Sequence, residues 1–354
     1  MKIAQVAPLY ESVPPVKYGG TERVVSYLTE ELVRQGHDVT LFASGDSKTS
    51  ATLVSPCGRS LRLDPGCQDP LACHIVMIDE VLRHASDFDV IQFHIDYLHF
   101  PFSSRSNVPH VTTLHGRLDL PELPLVYRQF RSVPLISISD AQRAPLPWAS
   151  WLATVHHGLP EDLYCLDEDP EPYLAFLGRV SPEKGVDKAI TIATRAGLPL
   201  RIAAKVDKVD REYFDCCIKP LLKNPLVDFM SEIGDQEKQD LLGRASALLF
   251  PIDWPEPFGL VMIEAMACGT PLIAFRRGSV PEVVDQGVTG FIVDNIEEAV
   301  NAVEAISSLS RKRCRAVFEQ RFSASRMARD YVLQYEHLQE SADRAVPIEV
   351  RECL

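Results

Sequence analysis

The stretch from Ala247 to Phe275, ALLFPIDWPEPFGLVMIEAMACGTPLIAF, decides the fold. It opens with an apolar run of strand length, Ala247–Phe250, and closes with another, Pro271–Phe275. Between the two runs, Leu260–Ala267 has the pattern of a buried helix. Strand, helix and strand in this order form a βαβ unit, whose strands lie parallel in a sheet covered on both faces. This stretch therefore predicts an α/β fold.

The same alternation continues on both sides of this unit and forms two series. The predicted strands of the first series, around a helix at Glu22–Gln35, are Ile3–Ala7, Asp38–Phe42, Val90–Phe93, Val111–Leu114 and Leu135–Ile138. Those of the second series are Tyr173–Leu177, Leu200–Ala204, Val227–Met230, Ala247–Phe250, Pro271–Phe275 and Gly290–Val293. We therefore expect two facing, doubly wound, Rossmann-like domains with ligands in the cleft between them.

Two charged, proline-containing stretches, Gly158–Asp162 and Asp167–Pro172, predict a linker between the domains. The expected boundaries are 1–164 for the N-terminal domain and 165–324 for the C-terminal domain. Residues 325–354 are expected to form a helix that packs back on the N-terminal domain and then a frayed tail.

Length and charge limit the classes of function. At ~150 residues per domain, the 354 residues correspond to about two domains. The chain has 36 Lys and Arg against 49 Asp and Glu, a net charge of −13. This acidic balance argues against nucleic acid as a partner and favours small molecules. The basic run Arg311-Lys312-Arg313-Cys314-Arg315 is interpreted as a solvated helix face rather than a membrane-docking site.

Cysteine usage and hydropathy bear on the compartment. The nine cysteines are odd in number and include no C-x-x-C pair, so reduced thiols are expected rather than disulfides or a zinc site. No run of about 18 apolar residues occurs, and no secretion signal is visible. These features predict a cytoplasmic protein without an integral membrane segment.

A glycine-containing loop follows the first strand. It reads Tyr18-Gly19-Gly20-Thr21, with Thr21 as the predicted N-cap of the first helix. Glycines at a helix N-terminus let backbone N–H groups approach an anion, although the same loop is typical of an ordinary strand-to-helix turn. The G-x-G-x-x-G fingerprint is absent here, which disfavours an NAD oxidoreductase.

Two cations follow the first strand of the second series. Arg179 and Lys184 lie five residues apart in the segment Leu177–Gly185. Arginine offers a planar fork for phosphate oxygens and lysine a mobile point charge, so the two could neutralise a diphosphate leaving group. A solvated surface pair is the alternative.

Two glutamates flank the Pro257–Gly259 turn. Glu264 is the single charge inside the apolar helix pattern, and burying it requires hydrogen-bond donors. Ribose hydroxyls are suitable donors, and a buried Arg or Lys is the alternative. Glu256, at the N-terminal end of the helix, is a candidate for binding sugar hydroxyls.

A histidine, His115, ends a strand of the first series and is followed by Gly116. Alone, such a histidine is more typical of packing or of the surface. No Ser-His-Asp arrangement or H-E-x-x-H run accompanies it.

Together, these segments resemble the retaining nucleotide-sugar transferases of the GT-B architecture, specifically glycosyltransferase family 4. Glu256 to Glu264 matches the family's motif of Glu, seven residues and Glu, including the inner Pro-Phe-Gly-Leu. Gly178-Arg179 with Lys184-Gly185 matches the phosphate-binding segment, and Gly19-Gly20 matches the glycine loop. The three segments occur in the family's order, and the resemblance covers most of the chain.

The resemblance implies a role for each matching residue. Arg179 and Lys184 would hold the diphosphate, which Gly19 and Gly20 would also contact. Glu264 would bind the ribose and Ile233 the base, while the transferred sugar and distal phosphate would be held by Glu256, Phe258, Gly259 and Leu260. His115 would lie by the C6 hydroxyl of the sugar or by the reacting centre.

The implied activity is transfer of a sugar, with retention, from a nucleoside-diphosphate sugar to a hydroxyl of a small-molecule, oligosaccharide or lipid-linked acceptor. UDP-glucose is the favoured donor, and the loops at 44–89 and 117–130 are expected to bind the acceptor. No metal or other cofactor is expected, because Arg179, Lys184 and a helix N-terminus can do the work of a divalent ion. A sugar-nucleotide 2-epimerase and a non-catalytic sugar-nucleotide-binding protein are the alternatives, and the oligomeric state stays open.

Overall fold

The computed structural model describes residues 1–16, 19–105 and 108–345, with side chains to residue 341. These residues cluster into two compact units. Within the described residues, unit 1 comprises 1–138, 145–155 and 327–345, and unit 2 comprises 139–144 and 156–326. Each unit has its own sheet of parallel strands with helices between them. The prediction of two doubly wound α/β domains is confirmed.

The sheet of unit 1 has seven parallel strands within the described residues. They are β1 (Lys2–Val6), β2 (Asp38–Phe42), β3 (Thr52–Val54), β4 (Val90–Phe93), β5 (His110–Thr113), β6 (Leu135–Ser137) and β7 (Trp151–Thr154). Their order is β3-β2-β1-β4-β5-β6-β7. The sequence did not predict the two edge strands, β3 and β7, because they are short and only partly buried and so lack a continuous apolar run.

The helices of unit 1 cover its sheet. Those that precede residue 139 are α1 (Gly20–Arg34), α2 (Pro70–Arg83), α3 (Phe100–Ser103) and α4 (Leu123–Gln129). Helix α1 begins one residue before the predicted cap, so the prediction of Thr21 as N-cap is wrong. Gly19 is the N-cap instead, and no side chain caps the helix.

The sheet of unit 2 has six parallel strands within the described residues. They are β8 (Leu174–Arg179), β9 (Leu200–Lys205), β10 (Val227–Met230), β11 (Ala247–Phe250), β12 (Leu272–Phe275) and β13 (Gly290–Val293), and their order is β10-β9-β8-β11-β12-β13. All six predicted strands are present; three have the predicted bounds, and β8, β9 and β12 differ from them by one or two residues at an end.

The remaining α-helices of the described residues are α5 to α13. Their bounds are Asp140–Arg143, Val186–Ala196, Arg211–Tyr213, Asp235–Gly243, Leu260–Ala267, Val280–Val283, Ile296–Ala305, Arg311–Arg321 and Ala324–Ala345. Helix α9 has the bounds that its apolar pattern predicted.

The stretches predicted as the linker are part of unit 2. The backbone N–H of Leu159 donates to the carbonyl of Phe322 over 2.9 Å, and that of Asp167 donates to the carbonyl of Cys268 over 3.1 Å. The chain crosses between units near 155 instead of 164, because these backbone groups are paired within unit 2. The linker prediction is wrong for this reason.

The basic run in α12 helps to hold these stretches. Arg315 donates to the carbonyls of Glu161 and Tyr164, each over 2.6 Å, and Arg311 donates to the carbonyl of Asp167 over 2.5 Å. Both side chains are therefore hydrogen-bonded to backbone, and the interpretation of the whole run as a solvated face is wrong for them.

The last helix, α13, begins in unit 2 and belongs to unit 1 from Met327 onward. Its Tyr331 and Tyr335 are both fully buried. Both hydroxyls bond side chains of the unit 1 sheet, so the helix packs on unit 1. The frayed tail predicted for the last residues lies outside the described residues.

Within the described ranges, no helix is long and apolar enough to span a membrane. The cysteines of the same ranges are free thiols.

A buried histidine links packing to pH in unit 1. The ring of His99 stacks on Phe93 with 3.7 Å between centroids and is fully buried. Its nitrogens lie 2.7 Å from Oγ of Ser103 and 2.8 Å from Oγ1 of Thr112. Burial, and then the charge of His110, holds the pKa of His99 well below its ordinary value of 6.5.

We predict that His99 makes folding sensitive to mild acid. Below pH 6.5 the unfolded chain gains a proton at His99 that the folded chain does not, so stability falls as the pH falls. Replacing His99 with Gln should reduce the loss of unfolding free energy between pH 7.5 and 5.5 by about 1 kcal/mol, measured by urea denaturation. His84→Gln replaces an exposed imidazole and is the control. An unchanged pH dependence in His99→Gln would contradict the prediction.

Candidate functional site

The loops that carry the predicted binding residues of unit 2 follow neighbouring strands. Strands β8, β11 and β12 are adjacent and parallel, so their carboxyl ends share one edge of the sheet. Residues 179–185 follow β8, residues 251–259 follow β11 and residues 276–279 follow β12. Ligands of doubly wound sheets bind at this edge.

Arg179 is the last residue of β8 and faces carboxylates. Its guanidinium lies 3.0 Å from Oε1 of Glu183 and 3.8 Å from Oδ2 of Asp207. Lys205, at the end of β9, lies 3.1 Å from the same aspartate. Among the described residues, Nε of Arg179 is buried and has no hydrogen-bond partner. The N–H at Nε is therefore one of the guanidinium donors that the neighbouring carboxylates do not use.

Lys184 bonds a glutamate from the neighbouring loop. Its ammonium group makes a short ion pair with Oε2 of Glu256 and lies 5.2 Å from the centre of the Trp254 ring. Nε1 of Trp254 donates to the same oxygen over 3.0 Å. Each cation therefore has a carboxylate partner, and the side chains of Arg179 and Lys184 are only 30% and 18% exposed, unlike the solvated surface pair that the sequence left as the alternative.

Backbone contacts join the loops after β8 and β11. The N–H of Asp253 donates to the carbonyl of Glu183 over 2.8 Å. Gly185 has a φ of +72° and packs so closely on Pro251 that a side chain there would strike the Pro251 carbonyl. Glycine is therefore required at this turn, and Lys184 is brought to Glu256 by backbone packing.

The turn Pro257–Gly259 leads into helix α9. Phe258 is buried, with its ring centroid 4.8 Å from that of His157. Gly259 has a φ of +82°, which favours glycine, and it is the N-cap of α9. Leu260 is the first residue of α9, so the first turn of the helix, with its unpaired backbone N–H groups, begins four residues after Glu256.

The loop after β12 holds Glu256 in place. The N–H of Ser279 donates to the carbonyl of Glu256 over 3.0 Å, and its hydroxyl donates to the carbonyl of Phe258 over 2.7 Å. Gly278, with a φ of +52°, lies against the backbone of Glu256 with no room for a side chain. Ser139 adds a hydrogen bond of 2.6 Å to the carbonyl of Pro257.

Glu264 is buried on α9 and is paired with a lysine. Its Oε1 accepts from Nζ of Lys238 over 2.8 Å and from the hydroxyl of Tyr164 over 3.4 Å. The sequence left open a buried cation or ribose hydroxyls as the donors, and the structure contains the cation. Both bonds use Oε1, so Oε2 can accept from a further donor.

Ile233 and the glycine loop complete the predicted set. Ile233 follows β10 and is partly exposed. In unit 1, Gly19 packs on Pro15, and Gly20 is an exposed first residue of α1. Glu22 in the first turn is buried, and burial raises its pKa. Contacts of Ile233 with a base and of the glycines with a diphosphate stay predictions.

His115 lies two residues beyond β5 and pairs with a second histidine. Its Nε2 is 2.8 Å from Nδ1 of His94, a residue that the sequence gave no reason to select. Burial lowers the pKa of His115 to about 3. Burial also lowers the pKa of His94, and the charge of His115 adds to this effect. Both rings are therefore neutral near pH 7.

The described residues hold no group of three or more His, Cys, Asp or Glu side chains arranged for a metal ion. The absence of a metal requirement stays a prediction, which an activity measurement must test.

Two family models match the chain. The model for glycosyl transferases group 1 matches residues 166–324, and that for glycosyltransferase family 4 matches residues 18–161. The chain belongs to glycosyltransferase family 4. The family 4 chain is 26% identical to the glycogen synthase of Mycobacterium tuberculosis, over 89% of each chain. It is also 26% identical to the phosphatidyl-myo-inositol mannosyltransferase of Propionibacterium freudenreichii, over 88% of this chain and 87% of that protein.

Solved structures share the GT-B fold of this glycosyltransferase. AviGT4, a glycosyltransferase involved in avilamycin A biosynthesis, matches with a TM-score of 0.74 and 23% identity, over 96% of this chain and 98% of AviGT4. Anabaena HepE, solved in complex with UDP and glucose, matches with a TM-score of 0.71 and 19% identity, over 95% of this chain and 100% of HepE.

Sequence reasoning missed several residues that contact the candidate site residues. Gly278 and Ser279 follow β12 at the same sheet edge as Glu256, so the rule that ligands bind at strand ends could have drawn attention to them. Trp254 was inside the segment quoted above. For Lys238 and His94, the sequence carries no signal, because only the fold brings them to Glu264 and His115.

We predict that a methyl group at position 278 disrupts the Glu256 loop. Gly278→Ala places a Cβ against the backbone of Glu256, so cleavage of the donor should fall at least tenfold while the secondary structure is retained. Gly287→Ala is the matched control. Gly287 also has a positive φ, +72°, but an added Cβ meets nothing within 4 Å.

The control should lose only the roughly 1 kcal/mol of strain at a positive φ and keep its activity. Both variants are compared by urea denaturation and by kcat/KM for donor cleavage. Equal activity in the two variants would show that Gly278 does not position Glu256 for the reaction.

Proposed function

We propose that this protein transfers a sugar with retention from a nucleoside-diphosphate sugar, UDP-glucose being the first candidate, to a hydroxyl of a small-molecule, oligosaccharide or lipid-linked acceptor. The observation that carries the proposal is the buried, unpartnered Nε of Arg179 at the ligand edge of unit 2, next to Lys184, within the described residues. A diphosphate oxygen is a suitable partner for it, because a guanidinium binds phosphate oxygens with parallel N–H donors.

Glu264 and Glu256 supply the acceptor atoms that a sugar nucleotide needs. Oε2 of Glu264 can accept from a ribose hydroxyl while Lys238 keeps Oε1 occupied. Glu256 is nine-tenths buried and is held by backbone on both sides of its loop, so it can offer a fixed carboxylate to sugar hydroxyls. HepE, which shares the fold, has been solved with UDP and glucose, which is consistent with UDP-glucose as the donor to test first.

The proposed reaction exchanges one glycosidic bond for another on the same face of the sugar. The bond between C1 and the distal phosphate oxygen breaks, and Arg179 and Lys184 stabilise the negative charge that develops on the diphosphate. The acceptor oxygen bonds to C1 on the face that the leaving group vacates. Its proton passes to the departing phosphate oxygen, so no protein nucleophile or separate base is required.

Binding of the diphosphate requires an exchange of partners. Lys184 is bonded to Glu256, and Arg179 to Glu183 and Asp207. We propose that the diphosphate draws both cations away from these carboxylates, which frees Glu256 for the hydroxyls of the sugar. The exchange would couple leaving-group binding to sugar binding through a single ion pair.

The two alternatives predict different products. A sugar-nucleotide 2-epimerase would release an altered sugar nucleotide without an acceptor. A non-catalytic binding protein would bind the nucleotide without turnover. A panel of nucleotide sugars, incubated with the protein and analysed for free nucleoside diphosphate, free sugar and epimerised donor, distinguishes all three.

We predict that Arg179→Ala and Glu264→Gln abolish most donor cleavage on this panel. Loss of a positioned cation at a developing charge costs about 100-fold or more in kcat, and loss of the ribose contact should raise KM for the donor. The measurement is steady-state release of nucleoside diphosphate. Arg195→Ala, which removes an exposed arginine paired with Glu297 on the same unit, is the matched control and should behave as wild type. Wild-type turnover of every cleaved donor by both site variants would refute the assignment.

We also predict that the reaction needs no divalent metal. Arg179, Lys184 and the N-terminus of α9 supply positive charge where a metal would otherwise bind the diphosphate. Activity should therefore be the same in EDTA as in Mg²⁺. Loss of activity in EDTA that is restored by Mg²⁺ would contradict this prediction.

A further inference from the structure

Unit 1 contains polar side chains in the interior of its sheet, where parallel strands are ordinarily apolar. Gln5 on β1 and Gln92 on β4 are register partners and are both fully buried. Thr113 on β5 is also fully buried, and His94 directly after β4 is 2% exposed. Burying such groups is costly unless each is hydrogen-bonded, so their partners are informative.

These side chains form one continuous chain of hydrogen bonds. Nε2 of Gln5 donates to Oε1 of Gln92 over 2.9 Å, and the hydroxyl of Tyr335 on α13 makes a short bond to the same oxygen. Nε2 of Gln92 donates to Oγ1 of Thr113 over 2.7 Å. Thr113 in turn donates to the hydroxyl of Tyr331 over 3.2 Å. Helix α13 thus anchors one end of the chain.

The other end of the chain reaches His115. The side-chain amide nitrogen of Gln5 donates to Gln92. The amide oxygen of Gln5, Oε1, therefore faces His94 and lies 2.8 Å from Nε2 of that histidine. An amide oxygen only accepts, so Nε2 of His94 carries the hydrogen. In a neutral imidazole the other nitrogen then accepts, and Nδ1 of His94 lies 2.8 Å from Nε2 of His115. The hydrogen of His115 therefore lies on Nε2.

We propose that His94 is a positioning residue that holds His115 in the Nε2–H tautomer, so that Nδ1 of His115 accepts a hydrogen bond from a hydroxyl of the transferred sugar. This role rests on the proposed function. In this role His115 recognises the sugar and does not donate a proton to the leaving phosphate, because the hydrogen on its ring is bonded to Nδ1 of His94. Gln5, Gln92 and Tyr335 set the direction of the chain that fixes this tautomer.

The low basicity of His94 and His115 is consistent with a neutral His115 whose Nδ1 accepts a hydrogen bond. Burial lowers the pKa of His115 to about 3, so the ring does not gain a second hydrogen near neutral pH. Two rings 5.1 Å apart between centroids would repel each other if both were protonated.

The tautomer can be measured in the full-length protein without any donor. Long-range ¹H–¹⁵N spectra of the imidazoles, assigned by comparison with His115→Gln, should show Nε2 of His115 protonated and Nδ1 unprotonated from pH 6 to 8. The opposite tautomer in the wild type would overturn the proposal. This result does not depend on whether the protein cleaves a sugar nucleotide, so it is distinguishable from failure of the proposed function.

Variants at position 94 test the positioning role. His94→Phe keeps a ring but removes the acceptor, and His94→Asn can place an amide oxygen near the position of Nδ1. The Nε2–H tautomer of His115 should be lost or mixed with the other in His94→Phe and recovered in His94→Asn. His99→Gln alters an equally buried imidazole of unit 1 outside this chain and should leave the tautomer unchanged. If His94→Phe does not fold, Gln5→Met removes the acceptor for His94 and should mix the tautomers of His115.

Kinetics with UDP-glucose and its 6-deoxy analogue connect the tautomer to the reaction. The wild type should cleave the 6-deoxy donor with kcat/KM about tenfold lower, roughly the value of one hydrogen bond. His94→Phe should lose about the same factor with UDP-glucose and little more with the 6-deoxy donor. Additive losses, or full activity in His94→Phe, would refute a role for His94 in holding His115 toward the sugar.

Discussion

The hydrogen bond from Ser279 to the carbonyl of Glu256 is the constraint on which the site in unit 2 depends. It ties the loop after β12 to the loop after β11, and Gly278 allows the two backbones to touch. The backbone of Glu256 is thereby held in place, so a change of partner by its side chain does not require the loop to move. The proposed exchange, in which this carboxylate leaves Lys184 for a hydroxyl of the sugar, then requires no ordering of the loop.

Much of the fold could be predicted because burial on both faces leaves a strong sequence signal. The strands of unit 2 are apolar runs and were placed within one or two residues. Strand β3 has no such run because it is a half-exposed edge of three residues. The stretch around Asp167 is charged and resembles a linker, but Arg311 and paired backbone groups hold it to unit 2. The charge of a stretch alone therefore does not distinguish a linker from a segment whose backbone groups are hydrogen-bonded within a domain.

The candidate site could be predicted only where its residues are close in sequence or carry a family motif. Glu256 and Glu264 are joined by a motif, and Arg179 and Lys184 by a single turn. Lys238 lies on another helix from the glutamate that it pairs with, and His94 lies on another strand from His115. Such pairs follow from strand order and helix packing, which a single sequence does not specify.

The charges around Arg179 bear on how an acidic protein would bind and release the proposed diphosphate. Arg179 faces Glu183 and Asp207, and Lys205 shares Asp207, so each cation has a carboxylate partner in the free chain. A bare group of cations would bind any phosphate and release it slowly. At the proposed site, a diphosphate would gain only the difference between its own attraction to the cations and that of the carboxylates it replaces. When the diphosphate leaves, the carboxylates restore neutrality, which lowers the free energy of the empty site and favours release. The net charge of −13 is thus compatible with the proposed diphosphate site, where the carboxylates leave Nε of Arg179 without a hydrogen bond within the described residues.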